Sequence, residues 1–169
     1  MIWRVSGELK WAHQYQAMKF KVHSISSKFQ VWEETALEFY KKRLHEHELI
    51  FLNHKHKLSS KKPEELIQAE SGILLDKVKK IDHAIAWDIK GRSISSNEFA
   101  DLITEYSMND QEIEFVIGGS HGLSSEVLDK SNHVISASKL TFPHRLFKII
   151  LSEQIYRACS IISNHPYHK

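Results

Sequence analysis

The sequence contains little cysteine, proline or glycine. Of its 169 residues, one is cysteine, three are proline and six are glycine. A single cysteine, Cys159, excludes a disulfide framework and any cysteine-rich zinc module, and is typical of a protein from a reducing compartment. The low proline and glycine content excludes collagen and flexible low-complexity chains.

The sequence also lacks a long apolar run. No stretch approaches the roughly 20 consecutive apolar residues that span a bilayer. The first residues, Met1 to Glu8, contain no apolar segment long enough for a signal peptide. We therefore expect a soluble, cytoplasmic protein with no membrane partner. Its length suits one domain with a full hydrophobic core.

Positive and negative charges are nearly equal in number but are unevenly distributed along the chain. The net charge is +2. Residues 93–129 contain eight acidic residues and no lysine or arginine, whereas residues 130–169 contain six basic residues and one acidic residue, Glu153. This asymmetry suggests an anionic partner near the C-terminus, and an ordinary bipolar surface explains it equally well.

Strand-like and helix-like periodicities alternate along the chain. Strands are predicted at 20–25, 49–52, 83–89, 114–117 and 134–136, and helices at 30–45, 63–80, 95–107, 124–130 and 144–162. This alternation predicts an α/β protein whose parallel sheet is covered by helices on both faces. Ligands bind such sheets beyond the carboxyl ends of the strands, which directs attention to residues 87–91, 118–122 and 136–142.

The last predicted helix is apolar around most of its circumference. A helix with apolar residues on more than one side must contact something besides its own sheet. A second subunit is the simplest candidate, so the sequence predicts a homodimer.

Two local patterns have both functional and structural interpretations. The turn Gly118-Gly119-Ser120-His121-Gly122 either admits a ligand close to the backbone or is a plain tight turn, and it matches neither a dinucleotide fingerprint nor a P-loop. The histidine pairs His45/His47 and His54/His56 have spacings that could ligate a metal. Because they lie in lysine-rich surroundings without a carboxylate cage, we expect surface histidines and no metal.

Four segments together resemble one known family. They are Phe115 to Leu123, Ser138 to His144, Glu153 to Ala158, and His165-Pro166-Tyr167-His168. In this order and at these separations they resemble the bacterial large-subunit ribosomal RNA methyltransferase H family, which belongs to the SPOUT class. The resemblance covers residues 18–169 and implies a single SPOUT domain with a C-terminal trefoil knot. Residues 1–17 would then be an extension, either disordered or an artefact of an upstream start codon.

The resemblance also implies an activity. It predicts transfer of a methyl group from S-adenosylmethionine to N3 of a pseudouridine in 23S ribosomal RNA, on assembled ribosomes, by a homodimer whose active site draws on both subunits. The cofactor positions map onto Trp87, Gly118, Ala137, Ser138, Lys139, Leu140, Thr141 and Phe142, and the catalytic positions onto Arg157, Tyr167, His168 and Lys169.

Two of these positions depart from the family pattern. The family commonly has leucine where this chain has Trp87, and often arginine where it has Lys169. A bulky residue at position 87 favours an alternative in which the pocket is occluded and the protein is a non-catalytic knotted dimer that binds RNA or a nucleotide.

Overall fold

Ten regular elements alternate along the chain in the computed structural model, which describes residues 17–26, 28–55, 57, 59 and 62–168. The strands are β1 (Lys19–Ile25), β2 (Glu48–His54), β3 (Ile85–Ser93), β4 (Glu112–Ile117) and β5 (His133–Ser136). The helices are α1 (Val31–Arg43), α2 (Pro63–Lys77), α3 (Ser96–Asn109), α4 (Ser125–Lys130) and α5 (His144–Ile162), with short 3₁₀ helices at Ile81–His83 and Pro166–His168.

The five strands form one parallel sheet in the order β2-β1-β4-β3-β5. Buried side chains fill both of its faces. Phe20, Phe99, Phe115 and Ile155 belong to the cluster under α3 and α5. A second cluster under α2 and α4 contains Leu74, Val78, Ala86 and Val127. The predicted parallel sheet with helices on both faces is therefore confirmed.

Helix boundaries follow from local chemistry at their first residues. The Ser95 side chain accepts a hydrogen bond from the Glu98 N–H at 3.2 Å, and the Glu98 carboxylate accepts one from the Ser95 N–H at 2.7 Å. This is the predicted capping box, and it begins α3. Pro63 begins α2, where the first turn needs no N–H donor, and Glu64 and Glu65 complement the helix dipole.

Several predicted boundaries are wrong by two or more residues. Helix α1 ends at Arg43, not at residue 45, and strand β2 continues to His54, not to residue 52. Strand β3 begins at Ile85, not at residue 83, because residues 81–83 form a 3₁₀ helix. Helix α2 ends at Lys77, not at residue 80, because Val78 turns into extended backbone and buries its side chain in the cluster under α2 and α4. Strand β3 continues to Ser93, four residues beyond its predicted end, because its last residues pair again with β5 after an irregularity.

The apolar circumference of α5 has a partner within the same chain. Helix α5 packs against α1 on one side and against α3 on the other. Its side facing the sheet buries Leu151, Ile155 and Ala158. These neighbouring helices account for apolar residues on two sides of α5 within one chain, and the homodimer stays a prediction. Leu146 remains 40% exposed on the outer side of α5.

Candidate functional site

A cavity of about 670 Å³ opens beside the middle of β3 and at the carboxyl ends of β4 and β5. Its volume is within the range of small-molecule sites. Three stretches of chain form most of its wall. They are residues 87–90 within β3, residues 117–123 at and after the end of β4, and residues 135–144, without Lys139, at and after the end of β5. These coincide with the three segments to which the rule for parallel sheets directed attention.

The wall contributed by β3 is a protrusion from the strand. Ile135 of β5 pairs with both Trp87 and Arg92, so residues 88–91 project out of the sheet between them. Gly91 permits this, because a Cβ there would lie 2.6 Å from the backbone of Ile135. As a result Asp88, Ile89 and Lys90 line the cavity, which strand periodicity did not predict.

The glycine turn folds tightly on itself. A Cβ on Gly118 would lie 2.5 Å from the carbonyl group of Gly122, and Gly122 has a φ of +83°. Gly119 pairs with Gly122 in an isolated bridge. The missing side chain of Gly118 therefore makes room for the turn itself, and the turn then presents its backbone to the cavity.

The side chain of Trp87 is part of the core and does not block the cavity. It is 7% exposed, and its ring packs edge-on against Phe99 and Phe147, each with ring centroids 5.4 Å away. Its indole Nε1–H is buried and has no hydrogen-bond partner among the described residues. A buried donor beside an open cavity fits a site that receives a polar ligand.

Seven of the eight predicted cofactor residues line the cavity. They are Trp87, Gly118, Ala137, Ser138, Leu140, Thr141 and Phe142; Lys139 is not among the lining residues. The prediction missed His144 and Phe147, which lie in the first turns of α5. Their position directly after Phe142 and Pro143 was the available signal. Burial, and then the nearby Lys148 and Arg145, lower the pKa of His144, which keeps its imidazole neutral at pH 7.

The predicted catalytic residues lie at the other end of α5. After α5 the chain reverses, and the Pro166–His168 turn packs back on the helix. The Tyr167 ring lies 4.6 Å from the Tyr156 ring, and its hydroxyl donates to Glu153 Oε1 at 3.3 Å. Arg157 donates to the same oxygen through Nε and Nη2, at 2.9 and 2.6 Å.

The electrostatics of this cluster determine the protonation of its members. The hydrogen bond to Glu153 raises the pKa of Arg157, which stays cationic. Burial, followed by the Glu153 charge, raises the pKa of Tyr167, which stays protonated at neutral pH. The described chain ends with the backbone of His168. The predicted catalytic residue Lys169 and the predicted extension, apart from Ala17, lie outside the described residues.

The cavity and the predicted catalytic residues are far apart within one chain. His144 at the cavity and Arg157 are thirteen residues apart in α5, which at about 1.5 Å per residue is roughly 20 Å. The structure therefore brings the predicted cofactor residues together and brings Arg157 and Tyr167 together, but does not join the two groups in one chain.

The histidine pairs His45/His47 and His54/His56 were considered above as possible metal ligands, and the structure describes the contacts of two of these histidines. His47 Nδ1 accepts the backbone N–H of Met18 at 3.1 Å, and His54 Nε2 lies 3.0 Å from Nδ1 of the buried His23. The expectation of surface histidines is therefore wrong for His47 and His54, which are half-buried and have structural contacts. Within the described ranges no three histidine, cysteine or acidic side chains are grouped as metal ligands, and no helix there has the length and hydropathy of a membrane span.

The family model described as "Predicted SPOUT methyltransferase" matches residues 18–168. The chain therefore belongs to the SPOUT methyltransferase family, as the resemblance predicted.

Curated relatives carry a more specific name. A protein of Francisella tularensis subsp. novicida (strain U112) named "Ribosomal RNA large subunit methyltransferase H" is 35% identical over 155 residues, which cover 90% of this chain and 100% of the relative. A protein of the same name from Clostridium botulinum (strain Hall) is 47% identical over 113 residues, covering 66% of this chain and 71% of the relative.

A solved structure is similar in fold. "The structure of a probable methylase family protein from Haemophilus influenzae Rd KW20" matches with a TM-score of 0.54 and 15% identity, covering 89% of this chain and 70% of that one. At this identity the likeness concerns the fold alone.

Proposed function

We propose that this protein transfers a methyl group from S-adenosylmethionine to N3 of a pseudouridine in 23S ribosomal RNA, on assembled ribosomes in the cytoplasm. The observation that carries the proposal is the cavity of about 670 Å³ walled by the glycine turn and residues 135–144. The names of the curated relatives support large-subunit ribosomal RNA as the substrate class.

The lining residues fit this cofactor. The turn at Gly118 and residues 137–138 and 140–142 would hold it largely through backbone, with Trp87 and Phe147 as the apolar floor. Asp88 is the one carboxylate among the lining residues and favours a cationic ligand. When bound, S-adenosylmethionine supplies an electrophilic methyl group on a sulfonium. Lys90 also lines the cavity, whereas His144, kept neutral, adds no further positive charge.

The residues at and after the end of α5 would bind the target base and stabilise its charge during methyl transfer. Removal of the N3 proton leaves negative charge that spreads onto the carbonyl oxygens of the base. The cationic Arg157 and the protonated Tyr167 would stabilise that charge as donors, since neither is a base at neutral pH. His168 and Lys169 complete the proposed catalytic set, with His168 the candidate to accept the proton.

A homodimer would complete the site. The roughly 20 Å between His144 and Arg157 along α5 favours an arrangement in which one subunit's chain end meets its partner's cavity. Ile89 and Leu140 at the cavity are 68% and 69% exposed, and Leu146 nearby is 40% exposed. Exposed apolar residues around one opening support an interface there. The trefoil knot stays a prediction.

The alternative is a knotted dimer that binds RNA or a nucleotide without turnover. Trp87 was the feature that favoured it. Because the indole ring lies in the core against Phe99 and Phe147, it leaves the cavity open. This supports the enzyme over the alternative.

The test combines cofactor titration with methylation of unmodified bacterial ribosomes. We expect binding of S-adenosylmethionine by calorimetry, transfer of labelled methyl to one pseudouridine of 23S ribosomal RNA, and a dimer by light scattering. Arg157→Ala should lower transfer about 100-fold or more, as for loss of one oxyanion donor, and should leave cofactor binding unchanged. Cofactor binding without transfer to ribosomes would favour the alternative, and a stable monomer with full activity would refute the composite site.

A further inference from the structure

Helix α1 brings an unassigned group of side chains to the chain end. Arg43 of α1 lies with its guanidinium carbon 4.2 Å from the centroid of the Phe39 ring. The same carbon is 5.6 Å from the Tyr156 ring and 5.9 Å from the Tyr167 ring. Arg43 thus joins an exposed aromatic ring on α1 to the tyrosine that follows α5.

The outer part of this group is open to solvent. The Phe39 side chain is 49% exposed although it is fully apolar. Arg43 and the neighbouring Lys42 are exposed, and neither forms an ion pair with another described residue. Among the described residues, this surface therefore has two positive charges without an ion-pair partner beside a half-exposed aromatic ring.

We propose that Phe39, Lys42 and Arg43, here called the α1 platform, bind unpaired bases of the substrate RNA next to the target nucleotide. The inference rests on the proposed function. Aromatic rings and guanidinium planes stack on unpaired bases, and free cations attract the phosphates. The platform continues directly into Tyr167, so the bound strand would pass from α1 to the residues proposed for catalysis.

Arg43 has a second role in this arrangement as a positioning residue. Its guanidinium and that of Arg157, which lies 5.1 Å from the Tyr167 ring centroid, both contact Tyr167. Lysine at position 43 would keep the charge but lose the planar group that stacks on rings. The conservative variant therefore separates charge from stacking.

The direct test measures binding of a fluorescein-labelled single-stranded decamer of uridylate by anisotropy. Base stacking on an aromatic ring, judged by alanine substitution, predicts that Phe39→Ala weakens binding about 5- to 150-fold. Phe39→Leu keeps the apolar volume and should weaken binding similarly. Arg43→Lys should retain part of the affinity, and Arg43→Gln should lose more. Binding of a ten-base-pair RNA duplex should change less than twofold in Phe39→Ala.

Trp32 supplies a matched control on the same helix. It is 48% exposed, close to the value for Phe39. Its indole N–H donates to Gln30 at 2.9 Å, and no cation of the described residues lies over its ring, whereas Arg43 lies over the ring of Phe39. Trp32→Ala should bind the decamer within twofold of wild type. Equal losses in Trp32→Ala and Phe39→Ala would overturn the proposal, as would wild-type protein that fails to bind the decamer at 100 μM.

Two further measurements separate this inference from its alternatives. On ribosomes, Phe39→Ala should raise KM at least fivefold with kcat and cofactor affinity unchanged; an unchanged KM would overturn the platform while the methyltransferase function stands. If Phe39→Ala instead converts a dimer to a monomer by light scattering, the surface is an interface between copies and the proposal is wrong. A third outcome separates the two proposals. If Phe39→Ala binds the decamer more weakly than wild type, but the wild-type protein does not methylate ribosomes, the platform is supported and only the proposed function is refuted.

Discussion

Replacing Gly118 with alanine tests how the glycine turn builds the cavity. The new Cβ would lie 2.5 Å from both the carbonyl carbon and oxygen of Gly122 and 3.0 Å from the backbone nitrogen of Leu123. Ordinary contacts at this position would be about 3.4 Å or more, so the backbone of the turn must move. Adding a methyl group to a packed site costs about 1–3 kcal/mol. Because backbone rather than a flexible side chain blocks the space, we expect a loss near the upper end, about 3 kcal/mol.

Gly72 supplies the matched control. It lies in α2, and a Cβ there would meet nothing within 4 Å. Gly72→Ala should therefore stabilise the protein by about 0.5–1 kcal/mol, since glycine is a poor helix former. Urea unfolding of both variants gives the two free energies of unfolding. Calorimetry should show S-adenosylmethionine binding at least tenfold weaker in Gly118→Ala and unchanged in Gly72→Ala.

A Gly118→Ala protein with wild-type stability would refute this account of the turn. Weakened cofactor binding without a loss of stability would mean that the ligand itself, rather than Gly122, occupies the space beside Gly118.

Three further predictions concern titratable groups that are buried or half-buried. Arg145→Ala leaves the carboxylate of Glu33, which is 1% exposed, without its ion-pair partner, and should cost about 3 kcal/mol in urea unfolding; a loss below about 1 kcal/mol would contradict the pairing. Burial raises the pKa of Cys159 to about 12, so a thiol reagent at pH 8 should label it only as fast as the protein unfolds, and rapid labelling of the folded protein would show that the thiol is accessible. The lowered pKa of His144 means that its contribution to stability is complete above the ordinary histidine pKa of about 6.5 and is lost as pH falls through the lower folded value. Wild type should therefore lose more stability than His144→Asn between pH 7 and pH 5, and parallel pH profiles would contradict this.

Much of the fold could be predicted from sequence because its signals are local. The apolar pattern of Phe20 to Ile25 and the capping pair Ser95 and Glu98 depend only on neighbouring residues, and both elements form where predicted. Alternation of strands and helices then restricts the sheet to parallel pairing with helices on both faces. Four motifs at matching separations predicted the family, which the matched residues 18–168 confirm.

Boundaries and protrusions were less predictable because they depend on residues distant in sequence. Residues 88–91 leave the sheet because Ile135 of β5 pairs on both sides of them, and nothing in the local sequence of β3 encodes that pairing. The same holds for His144 and Phe147, which reach the cavity only because α5 starts beside it.

The sequence by itself determined the parallel α/β architecture, the family, and most of the residues that line the cavity, because periodicity, caps and motif spacing are properties of short segments. Only the tertiary structure decided which neighbours those residues have. It placed Gly122 in the space beside Gly118, Trp87 in the core, and α1 and α3 along the apolar sides of α5. It also placed Arg43 of α1 beside Tyr167, 124 residues later in the chain. Such contacts arise from the packing of separate elements onto one sheet, and no local pattern along the chain specifies them.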